Sequence, residues 1–65
     1  MPVVNIETWP IDEEIKSEII KKITNSFVDL GIPAEAVTII IHEIPLSNWG
    51  SGGMQHSIKF KEFDK

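Results

Sequence analysis

The chain has 65 residues, a formal net charge of −4 and no cysteine. A domain of about 60 residues buries only ~60% of the surface that its unfolded chain exposes, so such chains usually need disulfides, a metal or oligomerisation. The lack of cysteine excludes disulfides and thiolate zinc sites. The acidic balance argues against nucleic-acid binding, which needs clustered cations. We therefore expect a single domain over residues 1–65 that associates with copies of itself.

The two histidines are the remaining candidates for metal ligands. His42 and His56 lie far apart in sequence without ligand-like spacing, so we expect half-exposed strand or loop histidines, with no metal and no cofactor. No apolar run is long enough to span a bilayer, and the first residues do not resemble a secretion leader. The expected location is cytoplasmic, without a membrane or nucleic-acid partner.

The chain opens with Met1 and Pro2, ahead of an apolar, strand-like run over residues 2–9. The initiator methionine is usually removed when the second residue is small, which leaves a free secondary amine. An α-amino group titrates near pH ~7.7–8.0, and burial lowers this pKa because it disfavours the ammonium form. A general base works best when its pKa lies near the operating pH. Pro2 is thus a candidate base, although many proteins begin with this dipeptide.

An amphipathic helix of about five turns is predicted next. Pro10 ends the first strand, and Asp12 is the expected N-cap, followed by two glutamates that favour the positive end of the helix dipole. Gly31 suits the position just after the helix, so the helix should end near Leu30. Apolar side chains recur at spacings of three and four. These positions are Ile15, Ile19, Ile20, Ile23, Phe27 and Leu30.

The second half of the chain predicts a strand and a hairpin. Residues 33–36 form a short turn, and the near-continuous apolar run over residues 37–44 suits a strand covered on both faces, as in a parallel sheet. Residues 46–53 form a turn-rich loop with Trp49 in the middle. Apolar and polar residues alternate over 58–61, which predicts a short late strand or hairpin arm.

A strand, helix and strand in this order place the two strands parallel, with a right-handed crossover. The fold class is α/β (α+β), a β-α-β protomer with a C-terminal β-hairpin. Two strands under one helix leave sheet edges and one sheet face exposed, and both features favour association. The chain should therefore complete its sheet and core by oligomerisation.

These elements together resemble the 4-oxalocrotonate tautomerase family, short-chain type. The resemblance rests on Pro2 opening a strand, on the helix start near Asp12, on the strand ending at residues 42–44, and on the aromatic-Gly-x-Gly-Gly pattern of residues 49–53. It implies two protomers that join their sheets, and three such dimers that form a homohexamer. It also implies keto–enol tautomerisation of 2-oxo acids, with the terminal proline as base, arginines that bind the carboxylate, and an aromatic wall.

The site residues transfer only in part. Pro2 matches the catalytic base, and Trp49 matches the substrate-binding aromatic, although plain interface packing also explains a tryptophan there. The resemblance puts Thr38 and Ile11 at the two arginine positions, and the chain contains no arginine. Thr38 can donate one neutral hydrogen bond and Ile11 none, whereas loss of one preorganised partner typically costs ~10²–10³ in rate. A tail lysine could reach the pocket.

Three functions remain open from the sequence. The first is an isomerase that acts on a less charged keto–enol substrate, such as an aryl 2-oxo acid, with Pro2 as base and low activity. The second is a catalytically weak or inactive oligomer that retains Met1. The third is hydration or decarboxylation of a small unsaturated or 3-oxo acid by the same proline, which also needs carboxylate binding.

Overall fold

The computed structural model describes residues 2–63 and begins with a strand–helix–strand unit. Strand β1 spans Val3–Thr8, helix α1 spans Glu13–Asp29, and strand β2 spans Thr38–Glu43. The strands pair in parallel, from Val3 opposite Thr38 to Thr8 opposite Glu43. The parallel pairing and the β-α-β order confirm the predicted fold class.

The ends of α1 follow its sequence signals. Asp12 occupies the N-cap position with an extended backbone, but its side chain makes no cap hydrogen bond. At the other end Gly31 has a φ of 97°, a left-handed conformation that glycine adopts without strain. The Gly31 N–H donates to the carbonyl of Val28 (2.9 Å) and the Ile32 N–H to that of Phe27 (3.1 Å), which is the Schellman arrangement.

The β1–β2 sheet has one covered and one open face. Side chains of Val4, Ile6 and Ile41 are half-buried on the face that carries α1, whereas Thr38 and Ile40 are exposed on the other. The expectation that β2 is covered on both faces is therefore wrong for one protomer, because a single helix shields a single face. The apolar run of β2 leaves an open surface that further chains can cover.

Residues 2–63 of one protomer form almost no closed core. Within residues 2–63 only Leu46 is a buried apolar residue, at 5% exposure, and Leu30 is 80% exposed. The radius of gyration is 15.0 Å and the extents are 43 × 23 × 14 Å. A compact chain of this length would have a radius of about 11 Å. No helix of residues 2–63 is long and apolar enough to cross a bilayer.

A hairpin and two helical turns complete the described chain. After a 3₁₀ turn at Leu46–Asn48, strands β3 (Gly50–Ser51) and β4 (Met54–Gln55) pair antiparallel. Gly52 and Gly53 connect them with φ of 61° and 81°. Positive φ at both central residues is the requirement of a type I′ turn, so this predicted hairpin is confirmed and its glycines have a conformational role.

The strand predicted over residues 58–61 is wrong. Helix α2 spans His56–Lys59, and a 3₁₀ turn spans Lys61–Phe63. The helical turn brings His56 and Phe60 to the same side, where both rings pack against Trp9, at centroid distances of 5.6 and 5.4 Å. An extended segment would separate these two rings, so aromatic packing outweighs the local alternation of apolar and polar residues.

Candidate active site

Pro2 and Thr38 lie together at the start of the parallel sheet. The Thr38 N–H donates to the Pro2 carbonyl at 3.0 Å, and Thr38 faces Val3 in the strand register. Pro2 is half-buried and Thr38 is exposed. The hydrogen bond fixes the backbone of Pro2, whose ring nitrogen precedes β1 and takes no part in the strand pairing.

Ile11 and Trp49 lie at the opposite end of the sheet. The backbone N–H of Ile11 donates to Oε2 of Glu43 at 2.8 Å, and the indole N–H of Trp49 donates to the carbonyl of Ile44 at 3.0 Å. Glu43 ends β2 and Ile44 follows it. Hydrogen bonds to the end of β2 therefore position both Ile11 and Trp49.

The four predicted site residues thus form two separate groups in one protomer. A strand rises about 3.3 Å per residue, so the seven-residue step from Pro2 to Trp9 covers roughly 23 Å. A small organic acid cannot bridge that distance. The pair at the start of the sheet and the pair at its end can meet around one substrate only if they come from different protomers.

Glu43 holds the loop before α1 in place. Its Oε1 accepts a hydrogen bond from Nζ of Lys16 at 2.8 Å, while Oε2 binds the Ile11 N–H. The Lys16 ammonium, followed by the Ile11 N–H, lowers the pKa of the Glu43 carboxyl below its ordinary value of 4.5. The positive charge of Lys16 is thereby engaged by Glu43.

An aromatic cluster, made of Trp9, Trp49, His56, Phe60 and Phe63, occupies the end of the sheet that carries Trp49. The ring of Trp49 stacks on His56 with centroids 5.7 Å apart and planes 16° apart. Trp9 meets His56 edge to face, and Phe60 packs against the same imidazole at 5.1 Å. His56 is half-exposed, as predicted, but it lies in a helix rather than in a strand or loop, and it is the centre of this cluster.

The hydrogen bonds of His56 define its tautomer. The indole Nε1 of Trp9 donates to Nδ1 of His56 at 3.2 Å, and an indole nitrogen can only donate. We therefore assign the proton of the neutral ring to Nε2, which donates to Oγ of Ser51 at 3.1 Å. Nζ of Lys59 donates to the same oxygen at 3.4 Å.

Sequence patterns did not indicate Ser51 or His56, and they left the place of the tail lysines open. Ser51 is the variable residue of the Gly-x-Gly-Gly segment, and Lys59 follows His56 by three positions on α2, so only the fold shows that they meet. His42 is exposed on the open sheet face, 3.4 Å from the amide oxygen of Asn5. Within residues 2–63 no group of three or more histidine, aspartate or glutamate side chains could hold a metal ion.

Comparison with known proteins gives consistent matches. Residues 2–59 match the family described as "Tautomerase enzyme". The chain is 40% identical over 43 residues to 2-hydroxymuconate tautomerase of Comamonas testosteroni. The aligned segment covers 65% of this chain and 68% of that protein.

Two solved structures extend the comparison to the fold. A 4-oxalocrotonate tautomerase isozyme from Methylibium petroleiphilum superimposes with a TM-score of 0.78 at 34% identity, over 86% of this chain and 94% of the other. A heterohexamer 4-oxalocrotonate tautomerase from Chloroflexus aurantiacus has a TM-score of 0.78 at 24% identity, over 88% and 95% of the two chains. The second likeness concerns the fold alone.

Proposed function

The chain belongs to the tautomerase family, and we propose that it catalyses the keto–enol tautomerisation of a 2-oxo acid with Pro2 as general base. The observation that carries this proposal is the position of Pro2. It directly precedes β1, its carbonyl accepts the Thr38 N–H at 3.0 Å, and its ring is half-buried. A base must be held in place, and these contacts support that role for Pro2 once removal of Met1 frees its nitrogen.

The proposed reaction is a proton transfer that needs no cofactor. Once Met1 is removed, Pro2 carries a secondary amine. The neutral amine takes the proton from the enol oxygen, and the C–O bond becomes a carbonyl. The electrons of the carbon–carbon double bond then take a proton back from the proline ammonium, so that C3 of the substrate is protonated. The hydroxyl of Thr38 supplies one neutral donor beside the base. Trp49 supplies an apolar wall, which lowers the local dielectric and strengthens interactions with the substrate carboxylate.

The site is proposed to form between protomers. Pro2 and Thr38 of one protomer would meet Ile11 and Trp49 of another, because one chain holds the two pairs roughly 23 Å apart. Several features of residues 2–63 support association of identical chains: Leu46 is their one buried apolar residue, they leave both edges of the two-stranded sheet unpaired, and they leave one sheet face open.

Helix α1 supports the same association. Its surface carries an apolar groove, and such an exposed surface is typical of an interaction site. The groove is lined by Glu14, Ile15, Glu18, Ile19, Lys22 and Ile23. We propose a homohexamer built as a trimer of dimers, as the family resemblance implies. Light scattering should give several times the chain mass of 7.3 kDa. A folded monomer would contradict the proposed architecture.

The test of catalysis uses phenylenolpyruvate, an aryl enol with a single carboxylate. Protein freed of Met1 should accelerate its ketonisation above the rate in buffer, and Pro2→Ala should lower kcat by about 10²-fold or more, because general bases typically contribute ~10²–10⁴. Protein that retains Met1 is the matched control, since its proline nitrogen is acylated and cannot act as a base. An unchanged rate in Pro2→Ala contradicts the mechanism.

Subunit complementation tests the shared site. Pro2→Ala and Trp49→Ala should each be weakly active alone. After the two are unfolded together and refolded as a mixture, some sites combine an intact Pro2 with an intact Trp49 from different chains, so activity should exceed that of either parent. A mixture no more active than its parents would contradict a site that combines Pro2 and Trp49 from different chains.

A second candidate function is a catalytically weak or inactive oligomer that retains Met1. The observation that favours it is the absence of arginine from the chain, with Thr38 and Ile11 at the positions where the family resemblance implies arginines. Intact-mass measurement on protein from its native cells distinguishes the two candidates. Uniform retention of Met1 supports the inactive oligomer, and removal of Met1 with measurable ketonisation contradicts it.

A further inference from the structure

We propose that Ser51 and Lys59 form a carboxylate-binding subsite beside Trp49, which takes over the anion recognition that arginine would otherwise supply. This inference rests on the proposed function and deepens it, because it names the groups that hold the substrate and the substrate class they select. Oγ of Ser51 and Nζ of Lys59 lie 3.4 Å apart. Ser51 also contacts His56, on which the ring of Trp49 stacks.

The direction of the hydrogen bonds leaves Ser51 free to donate. Trp9 donates to Nδ1 of His56, so the imidazole proton lies on Nε2 and is directed to Oγ of Ser51. Lys59 has no acceptor atom, so it also donates to Oγ. Both lone pairs of the hydroxyl are then occupied, and its own proton remains available for an external acceptor. Each hydrogen bond in this series is donated in the direction of Ser51, and this polarisation makes the Ser51 hydroxyl proton a stronger donor.

Lys59 contributes a positive charge that no described carboxylate neutralises. Within residues 2–63 the ion pairs are Lys16 with Glu43 and Lys22 with Glu18, whereas Lys59 bonds to the neutral hydroxyl of Ser51. Its ammonium lies 5.7 Å from the ring centroid of Phe60, an interaction that restrains it near the aromatic cluster. The ammonium keeps two further N–H donors for a ligand.

Together these groups fit one carboxylate attached to an apolar, unsaturated body. The Ser51 hydroxyl and the Lys59 ammonium are close enough to bind the two oxygens of a single carboxylate, and charge-assisted hydrogen bonds of this kind are the strong ones. Trp49 offers a ring face or edge to the remainder of the molecule. Lys16, which lies against Glu43 at the end of β2, is engaged by that carboxylate and offers no free charge to a second carboxylate. The subsite should therefore select aryl or alkenyl monocarboxylates over dicarboxylates.

The kinetic test compares Lys59→Gln and Ser51→Ala with Lys61→Gln as the matched control. Lys61 is an exposed lysine two residues further along the same segment. Because a hydrogen bond to a charged group contributes about 1.5–3 kcal/mol, the KM for phenylenolpyruvate should rise about tenfold or more in Lys59→Gln. Ser51→Ala should raise it by less, and Lys61→Gln should leave it within about twofold. Lys59→Arg should restore most of the affinity.

A binding experiment separates the subsite from the proposed catalysis. Phenylpyruvate is titrated by calorimetry into protein that carries Pro2→Ala, with and without Lys59→Gln, so that turnover plays no part. The neutral methyl ester of phenylpyruvate is the matched ligand control. We expect Lys59→Gln to weaken binding of the acid about tenfold or more and to leave binding of the ester unchanged.

Each outcome bears on one proposal or the other. Unchanged KM and unchanged acid binding in Lys59→Gln overturn the subsite, while Pro2-dependent ketonisation would still support the tautomerase function. Lysine-dependent acid binding without any Pro2-dependent turnover would support the subsite and contradict the catalysis. Equal loss of acid and ester binding would show a general packing effect and also overturn the subsite.

Discussion

The two ends of the β1–β2 sheet are built in different ways. At its start, Pro2 is held by one backbone hydrogen bond from Thr38. At its end, the aromatic cluster and a chain of side-chain hydrogen bonds fix Trp49 and His56. This difference agrees with the proposed roles of the two ends. A base needs an accessible nitrogen, whereas a binding surface needs oriented side chains that lose little entropy when a ligand binds. In the proposed shared site, association of protomers would bring the two kinds of end together.

The largest effect is expected from a substitution that prevents protomers from associating. Ile40 lies on the open sheet face, and Ile40→Glu would place a charge where apolar surface is covered on association. A buried unpaired charge costs several kcal/mol. We expect dissociation to smaller species and loss of ketonisation, measured by light scattering and by rate. Asn25→Glu, which adds the same charge on an exposed polar position of α1, should change neither. An active, fully assembled Ile40→Glu protein would contradict the shared site.

The next largest effect concerns the Trp49 end alone. Trp49→Ala removes the hydrogen bond to the Ile44 carbonyl and the stacking on His56. We expect a loss of about 2–4 kcal/mol in the free energy of unfolding, from denaturant titration, together with a raised KM. Trp49→Phe keeps a six-membered aromatic ring but loses the N–H and part of the indole, so it should cost less than Trp49→Ala and leave KM closer to that of the parent. Equal effects of the two substitutions would show that the ring does not contact substrate.

A smaller effect tests the order of donors at His56. Trp9→Phe removes the indole N–H that donates to Nδ1 while it retains an aromatic ring in the cluster. The free energy of unfolding should fall by about 1 kcal/mol. The nitrogen-15 shifts of the imidazole should show the Nε2–H tautomer in the parent protein and a mixture of tautomers in Trp9→Phe. A parent ring that carries its proton on Nδ1 would reverse the hydrogen-bond chain and contradict the assignment.

The smallest effect is the pH dependence contributed by Glu43. Its carboxyl has a lowered pKa in the folded protein because Lys16 and the Ile11 N–H bind the carboxylate. The unfolded chain therefore takes up this proton first as the pH falls. The stabilisation is present in full above the ordinary value of 4.5 and disappears as the pH drops through the lowered folded-state pKa.

Thermal unfolding between pH 7 and pH 3 checks this effect. Glu43→Gln retains an acceptor for the Ile11 N–H but does not titrate, so its stability should fall less steeply over the acid range than that of the parent. Glu35→Gln, in the exposed 3₁₀ turn, is the matched control and should follow the parent curve. Parallel acid profiles for Glu43→Gln and the parent would contradict the role assigned to this carboxylate.

Local signals predicted the parallel unit well because each boundary has its own chemistry. Asp12 precedes α1, Gly31 follows it in a left-handed conformation, and the glycine pair after Ser51 makes the tight hairpin turn. The tail was misassigned because alternation over four residues fits a strand and a helical turn about equally. The deciding partner, Trp9, lies some fifty positions earlier in the chain, and no local pattern reveals that contact.

The sequence predicts which residues could act in the candidate site, but it does not predict how they are arranged in space. Pro2 stands out as a base by its position, and Trp49 by the glycines that follow it. Their separation at opposite ends of the sheet follows from the strand pairing, and the meeting of Ser51 with Lys59 depends on how α2 packs beside the hairpin and Trp9. Residue spacing alone carries no information about that packing, so the roles of all these residues stay predictions to be tested.

Because few side chains are buried within one protomer, the stability of this protein should depend on its concentration. With Leu46 as the one buried apolar residue of 2–63, the proposed association would supply most of the free energy that opposes unfolding. The folded fraction then follows mass action, and the thermal midpoint should rise with protein concentration. A cell that makes little of this protein would hold much of it unfolded and open to proteolysis, so activity per molecule would increase with expression level.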